Sequence, residues 1–478
     1  MSEPDARPGG GHASAVLAIV CCAQLILAVD ITIILVADVQ IQHALGFTQA
    51  SLSWIVTAYA LTFGGLLLLA GRLSDSFGHR RMFLAGMAAF GIASACAALS
   101  GSPLELVASR AVQGMSASLV SPAALALLGD EFPAGIRRTR AFGFWAASGS
   151  AGGVIGYTIG GVLVGYLGWR WAFIINVPIA IAGVAAGARY LPVGVAGGSR
   201  RRPPAFGAGT VTVGLGLLIY ALGEGQSAGW GSRATLAVVA GAAACLAAFA
   251  AHEARSPDPL IARAVLHRRE SAASAVAALQ AATISAAVFL GSLYLQQVLG
   301  DSPQRVGIAT LPVPLGVAAG AFTVTRLLRR GRHGVALIIA GLGLVTAALA
   351  WIGIEARTES YYTVLLPGWA ALGFGLAVSQ VPLATLATAN TREETRGSVA
   401  GLYNMAQQVG SAIGLAAFNV VAVAYARGTT VADRLHGLQA ATIGAAGLAL
   451  ATAILAGLTL RASPGPDEPG LGARHPEH

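Results

Sequence analysis

Two ionisable residues stand where such residues are rare. Asp30 interrupts the apolar stretch LAVDITIILVAD, and Arg110 interrupts LVASRAVQGMSAS. Each lies well inside a run long enough to cross a bilayer, where an ionised carboxylate costs on the order of 2.5–3.5 kcal/mol. Asp30 is therefore expected to load and release a proton near neutral pH. Arg110 keeps its proton at any physiological pH, so its chemistry is electrostatic. It can hold a nearby carboxylate charged until a proton or a cationic ligand replaces it. Gln113 lies one turn further on, and Gly114 leaves room for close helix contact. A carboxylate paired only for packing, or an arginine snorkelling to the interface, are the plainer alternatives.

The elements that must position these residues are membrane helices. The chain is 55% hydrophobic and 11% charged, with a mean hydropathy of +0.69, whereas soluble proteins carry roughly a quarter charged residues. Apolar runs of roughly 18–25 residues centre near residues 25, 60, 91, 117, 152, 182, 216, 243, 283, 316, 345, 374, 412 and 448, fourteen in all. All thirty basic residues are arginine. With a cytoplasmic amino terminus, twenty-three of them fall in the tails and cytoplasmic loops, six on the opposite face, and Arg110 inside a run. The positive-inside rule thus places both termini in the cytoplasm, which an even number of spans requires. Basic charge on one membrane face argues against a nucleic-acid partner and leaves membrane lipids as the surroundings. Cys21, Cys22, Cys96 and Cys245 all fall in apolar runs without metal-ligand spacing, so they read as small core residues. Met1 to His12 carries Glu3 and Asp5 against Arg7, so the first helix is expected to stay rather than be cleaved as a signal.

The predicted organisation is an all-α polytopic membrane protein. A cytoplasmic tail (1–13) leads into a six-helix bundle (14–192). The GGSRRRPP stretch cannot continue a membrane helix and marks a linker (193–206). Two inserted transmembrane helices follow (207–251), then a basic segment (252–270) able to lie along the membrane surface. A second six-helix bundle (271–460) and a cytoplasmic tail (461–478) complete the chain. RLLRRGRHG at 326–334 is a weaker echo of GRLSDSFGHRR at 71–81, the trace of two related bundles.

The 71–81 stretch is expected to be a short loop at one membrane face. Gly71 and Gly78 would permit tight turns, and Asp75 lies within reach of Arg72, Arg80 and Arg81 as a charged latch. Its spacing, G, three residues, D, two residues, G, then basic residues, resembles the loop between helices 2 and 3 of the major facilitator superfamily. The stretch at Asp30 resembles the LDxT signature of the fourteen-helix drug:proton antiporter family, with Val29 for Leu, Leu35 where Asn is common, and Asp38 and Val39 where Leu-Pro is expected. Arg110, Gln113 and Gly114 match the superfamily pattern R, two residues, QG, which the resemblance links to proton coupling. Gly156, Gly160 and Gly161 fit the antiporter motif GP, two residues, GG, although Tyr157 replaces the proline and leaves the direction of transport open. WIVTAYALTF (54–63), WRWAFIINVPIA (169–180), YLQQVLGDSPQRVGIATLP (294–312) and GSVAGLYNMAQQVGSAIG (397–414) carry the likeness through the thirteenth run. The resemblance implies a major facilitator fold with two extra helices.

Gly152, Gly156 and Gly160 recur every four residues, and Gly410 and Gly414 form a parallel face near residue 412. Such faces would let helices pack closely and the bundles rock, or serve ordinary packing alone. Tyr59, Gln296, Asn404 and Gln407 would hydrogen-bond within a mostly apolar cavity. Trp54, Trp145 and Tyr157 would offer aromatic faces to organic cations. Asp30 and Gln113 complete the candidate substrate site. Interhelix contacts or interface anchoring explain these polar and aromatic residues equally well.

The run at 306–325 has no acid, which removes support for a second buried carboxylate there, and all nine histidines lie in loops, tails or helix ends. Without lysine there is no phosphate-binding loop of the G-x-x-x-x-G-K-[ST] type, so no ATP-driven engine of that kind. No cofactor or metal is expected. The leading expectation is a monomeric, proton-coupled antiporter in a bacterial cytoplasmic membrane, exporting small lipophilic drugs or antibiotics by alternating access. A carrier dedicated to one metabolite or endogenous antibiotic is the alternative. A membrane-embedded enzyme or sensor is the reading from a different class.

Overall fold

Helix starts in this chain carry the expected chemistry. The Ser102 hydroxyl accepts from the Glu105 amide, and Pro103 fills the first helical position, where an amide would have no partner. Ser232 caps its helix through the Thr235 amide at 3.1 Å. The computed structural model describes residues 10–132, 136–192, 205–227, 229, 231–256, 268–330, 333–357, 361–388, 396–426, 428 and 430–461. Among these there is no strand.

The principal helices are α1 (Gly10–Leu45), α2 (Trp54–Phe77), α3 (His79–Leu99), α4 (Pro103–Glu131), α5 (Ile136–Leu167), α6 (Asn176–Tyr190), α7 (Ala205–Ser227), α8 (Arg233–Arg255), α9 (Arg268–Leu293), α10 (Pro312–Arg329), α11 (Gly334–Glu355), α12 (Leu366–Thr388), α13 (Arg396–Tyr425) and α14 (Val431–Arg461). A π turn, Tyr294–Val298, extends α9, another, Tyr361–Leu365, precedes α12, and a short helix, Pro303–Ala309, leads into α10. Among the described residues twelve spans are long and apolar enough to cross a bilayer, and α2, bent by 54° beyond Leu67, makes a thirteenth when taken whole. The remaining helix, α7, runs for 23 residues, about 34 Å of helix against a hydrocarbon core of about 30 Å.

The same packing scheme occurs twice. In the first half α1 lies along α5, α2 and α3 along α4, and α6 along α3. In the second half α9 lies along α13, α10 and α11 along α12, and α14 along α11. The halves meet where α2 touches α13 and where α5 touches Pro303–Ala309. The inserted α7 packs on both α2 and α13, with α8 behind it. Ala60, Leu61, Val211, Leu215, Ile219, Met405, Ala412 and Ala416 form one buried cluster there. The linker and basic segment lie outside the described residues over 193–204 and 257–267.

Apart from the cluster shared by α2, α7 and α13, the apolar core divides into one body spanning both halves and one body within each half. Ile33, Val36 and Ile41 of α1, Tyr157 and Val164 of α5, Leu290 and Leu293 of α9 and Val306 belong to a single cluster spanning both halves. Toward the arginine-rich end, Val16, Phe83, Phe90 and Leu127 form a cluster of the first half alone. Val276, Ile338, Leu383 and Tyr403 form a separate one in the second. The cluster spanning both halves lies toward the end bearing Leu45, Trp54 and Leu167, while α2 and α13 keep the halves in contact along their length.

Candidate functional site

Asp30 and Arg110 form a direct ion pair. Arg110 Nη1 donates to Asp30 Oδ2 at 2.6 Å, with both side chains fully buried. Asp30 Oδ1 accepts from Asn176 Nδ2 at 2.7 Å and from Gln113 Nε2 at 3.2 Å. Gln113 returns its carbonyl to Arg110 Nη1 at 2.9 Å and donates to the Ser94 hydroxyl at 2.7 Å. Arg110 Nε donates to the Ile55 carbonyl at 2.9 Å, and its guanidinium carbon lies 4.6 Å from the Tyr59 ring centre. The network draws on α1, α2, α3, α4 and α6, five of the six helices of the first half.

Local sequence explains its precision. Arg110 and Gln113 are one turn apart and share a face of α4. At Gly114 a side chain would collide with the Tyr59 carbonyl and Thr62, so glycine lets α2 close against α4, where the Thr62 hydroxyl donates to the Ala111 carbonyl at 2.9 Å. Sequence reasoning named Asp30, Arg110 and Gln113 but missed Asn176 and Ser94. The signal for Asn176 was its polar side chain inside the apolar WRWAFIINVPIA.

The candidate substrate residues lie in different settings. Asp30 and Gln113 are fully buried and Tyr59 is 1% exposed, so in this conformation they are sealed within the first half rather than lining an open cavity. Trp145 is half-buried against the first-half cluster. Tyr157 and Gln296 sit at the seam between halves. Gln296 Nε2 donates to Asp38 Oδ1 at 2.8 Å and to the Ser292 hydroxyl at 2.9 Å. On α13, Asn404 is exposed and Gln407 reaches the Tyr403 hydroxyl at 3.5 Å.

The glycine faces lie inside each half, not between them. Gly152, Gly156 and Gly160 of α5 abut Leu25, Ala28, Val29, Thr32 and Ile33 of α1, and Gly410 and Gly414 abut Ala278 and Ala282 of α9. A neighbouring stripe on α5, about 100° round the helix, meets the other half: Gly161 and Gly165 face Pro303, Gln304 and Gly307, and the Tyr157 carbonyl faces Gly307.

The 71–81 stretch is mostly helix. α2 runs to Phe77, α3 begins at His79, and Gly78 alone, at φ +94°, makes the turn. Gly71 is helical and has ordinary contact room. Asp75 and Arg81 are exposed, while Arg80 donates instead to the Ala188 carbonyl. His79 links these helix ends. Its Nδ1 lies 2.9 Å from the Ser74 hydroxyl and its Nε2 3.8 Å from Asp130 Oδ2, joining α2, α3 and α4.

Residues 20–415 fit the family model described as Major Facilitator Superfamily. The chain belongs to the Major Facilitator Superfamily. Membership makes it a multi-pass membrane transporter rather than an enzyme. Within the superfamily, the puromycin resistance protein pur8 of Streptomyces alboniger is 36% identical over 470 residues, covering 95% of this chain and 91% of that protein. The cephamycin export protein CmcT of Amycolatopsis lactamdurans is 34% identical, covering 84% of each. The tetracenomycin C resistance and export protein of Streptomyces glaucescens is 33% identical, covering 83% of this chain and 73% of that one. An auto-inhibited POT family peptide transporter superposes with TM-score 0.68 at 17% identity, covering 97% and 99% of the two chains. At that identity the likeness speaks for the major facilitator fold.

Proposed function

We propose that the protein is a proton-coupled antiporter that exports a lipophilic, drug-like antibiotic across the bacterial cytoplasmic membrane by alternating access. The observation that carries this is the sealed Asp30–Arg110 pair. Protonating Asp30 removes the anion that Arg110 is buried against, and an unpaired buried charge costs about 3–5 kcal/mol. A network spanning five helices must then rearrange, which links proton occupancy to the shape of the half. One proton crossing about 100 mV yields roughly 2.3 kcal/mol, and one pH unit adds about 1.4. The drive and the penalty are of the same order, as coupling requires.

With the arginine-rich face in the cytoplasm, the cluster spanning both halves lies toward the outside. Substrate would enter between the halves from the cytoplasm. The export direction follows the named relatives, which are described as resistance or export proteins.

A second reading, a carrier dedicated to one antibiotic, is favoured by the single compound in each of those names. One experiment addresses both. In inside-out vesicles, puromycin, a cephamycin, tetracenomycin C and a panel of lipophilic cations are added while the pH gradient is followed, with wild type and Asp30→Asn. Several responders with wild type alone support the broad exporter, and one responder supports the dedicated carrier. An equal response in Asp30→Asn removes Asp30 from the mechanism, and no response at all defeats proton-coupled export of these classes.

A further inference from the structure

Asp38 lies about two turns beyond Asp30 on α1 and is 2% exposed. It sits where α1 of the first half meets α9 of the second. Oδ1 accepts from the Val39 amide at 2.7 Å and, across the seam, from Gln296 Nε2 at 2.8 Å. Oδ2 is buried with no hydrogen-bond partner. The Ser292 hydroxyl beside Gln296 donates to the Leu35 carbonyl. Among the described residues no arginine or histidine pairs with Asp38. It differs from Asp30 in this: it is a buried carboxyl with no counter-charge.

A carboxyl buried without a cation favours its acid form, and that form carries an O–H on an atom that otherwise has no partner. One turn on, Gln297 Nε2 lies 3.4 Å from Gln42 Oε1 across the same seam. Both residues line a cavity of about 520 Å³, with His43, Phe47, Ala422 and Arg434 also in its wall. The cavity is set among the outer ends of α1, α9, α13 and α14, so the seam is approached from outside by a vestibule into which Gln42, His43, Gln297 and Arg434 bring polar groups.

We propose that Asp38 is a second proton-carrying carboxyl, separate from the Asp30–Arg110 pair, which holds its proton while the outer seam is closed and exchanges it with the outer solution when the seam opens. Opening separates α1 from α9 and breaks the Asp38–Gln296 bond. Water then reaches the carboxyl, and the proton passes between Oδ2 and solvent, with an O–H bond breaking on release and forming on uptake. Each cycle then carries two titrating acids on α1, one inside the first half and one between the halves. The inference rests on the proton-coupled reading above.

The test is infrared spectroscopy of the full chain in lipid nanodiscs, watching the protonated-carboxyl C=O stretch. At neutral pH the wild type is expected to show a band that Asp38→Asn removes and Asp30→Asn retains. Asp38→Glu should restore a band at displaced frequency, and Gln296→Leu should shift it by removing its donor. Helical circular dichroism equal to wild type establishes that each variant is folded. A carboxyl spectrum unchanged by Asp38→Asn overturns the proposal, as does loss of the band in Asp30→Asn alone. If Asp38→Asn removes its band while Asp30→Asn leaves vesicle proton exchange intact, Asp38 stands and the Asp30 mechanism falls.

Discussion

Gln280 of α9 donates to the Ser379 hydroxyl of α12 across 2.6 Å, with both residues buried. These helices correspond to α1 and α4, which in the first half are joined by Asp30 and Arg110. The same architectural link is charged in one half and neutral in the other. A neutral bond contributes on the order of 1 kcal/mol and does not change with pH, so the proposed proton coupling through this link falls to the first half.

Asp30→Asn is therefore expected to abolish substrate-driven proton movement in vesicles, while Gln280→Leu leaves it within about two-fold of wild type, the scale of a lost neutral bond's modest structural effect. Comparable loss in both variants would place coupling in the fold as a whole.

Removing one member of the buried pair should destabilise more than removing both. Asp30→Asn or Arg110→Leu alone strands a charge or its partners, at about 3–5 kcal/mol, whereas a double apolar replacement of both approaches neutrality. Thermal unfolding in detergent of the two single variants and the Asp30→Leu/Arg110→Leu double checks this. Additive losses would mean the two side chains do not act as a pair.

Gly161→Val should weaken the closed outer seam, because Pro303, Gln304 and Gly307 leave no room for a side chain there, whereas Gly153→Val should not, since its surroundings are open. The measurement is labelling of a cysteine at Gln304 by a membrane-impermeant maleimide added outside. Several-fold faster labelling is expected only with Gly161→Val.

Leu215→Ala on α7 should cost about 2–5 kcal/mol if the cluster with Leu61 and Met405 behaves as packed core. Unfolding should show a lower midpoint than Leu236→Ala on the exposed face of α8. Equal midpoints would make the inserted pair a passive appendage.

The sequence by itself determined what is local. Apolar run length placed the helices, the run near 216 among them. Asp30 and Arg110 were legible because a charge in an apolar run is costly wherever the run is packed. Gln113 was legible by its one-turn spacing from Arg110. The tertiary structure decided everything that depends on how each helix is rotated about its axis. That rotation is set by all neighbours at once, and no single helix records it. It turned Gly152, Gly156 and Gly160 toward α1 and gave the seam to Gly161 and Gly165. It brought Asn176 to Asp30 from 146 positions away and Gln296 to Asp38 from 258. It also left Asp75 exposed while His79 linked three helix ends, since one residue at Gly78, rather than a loop, makes the turn.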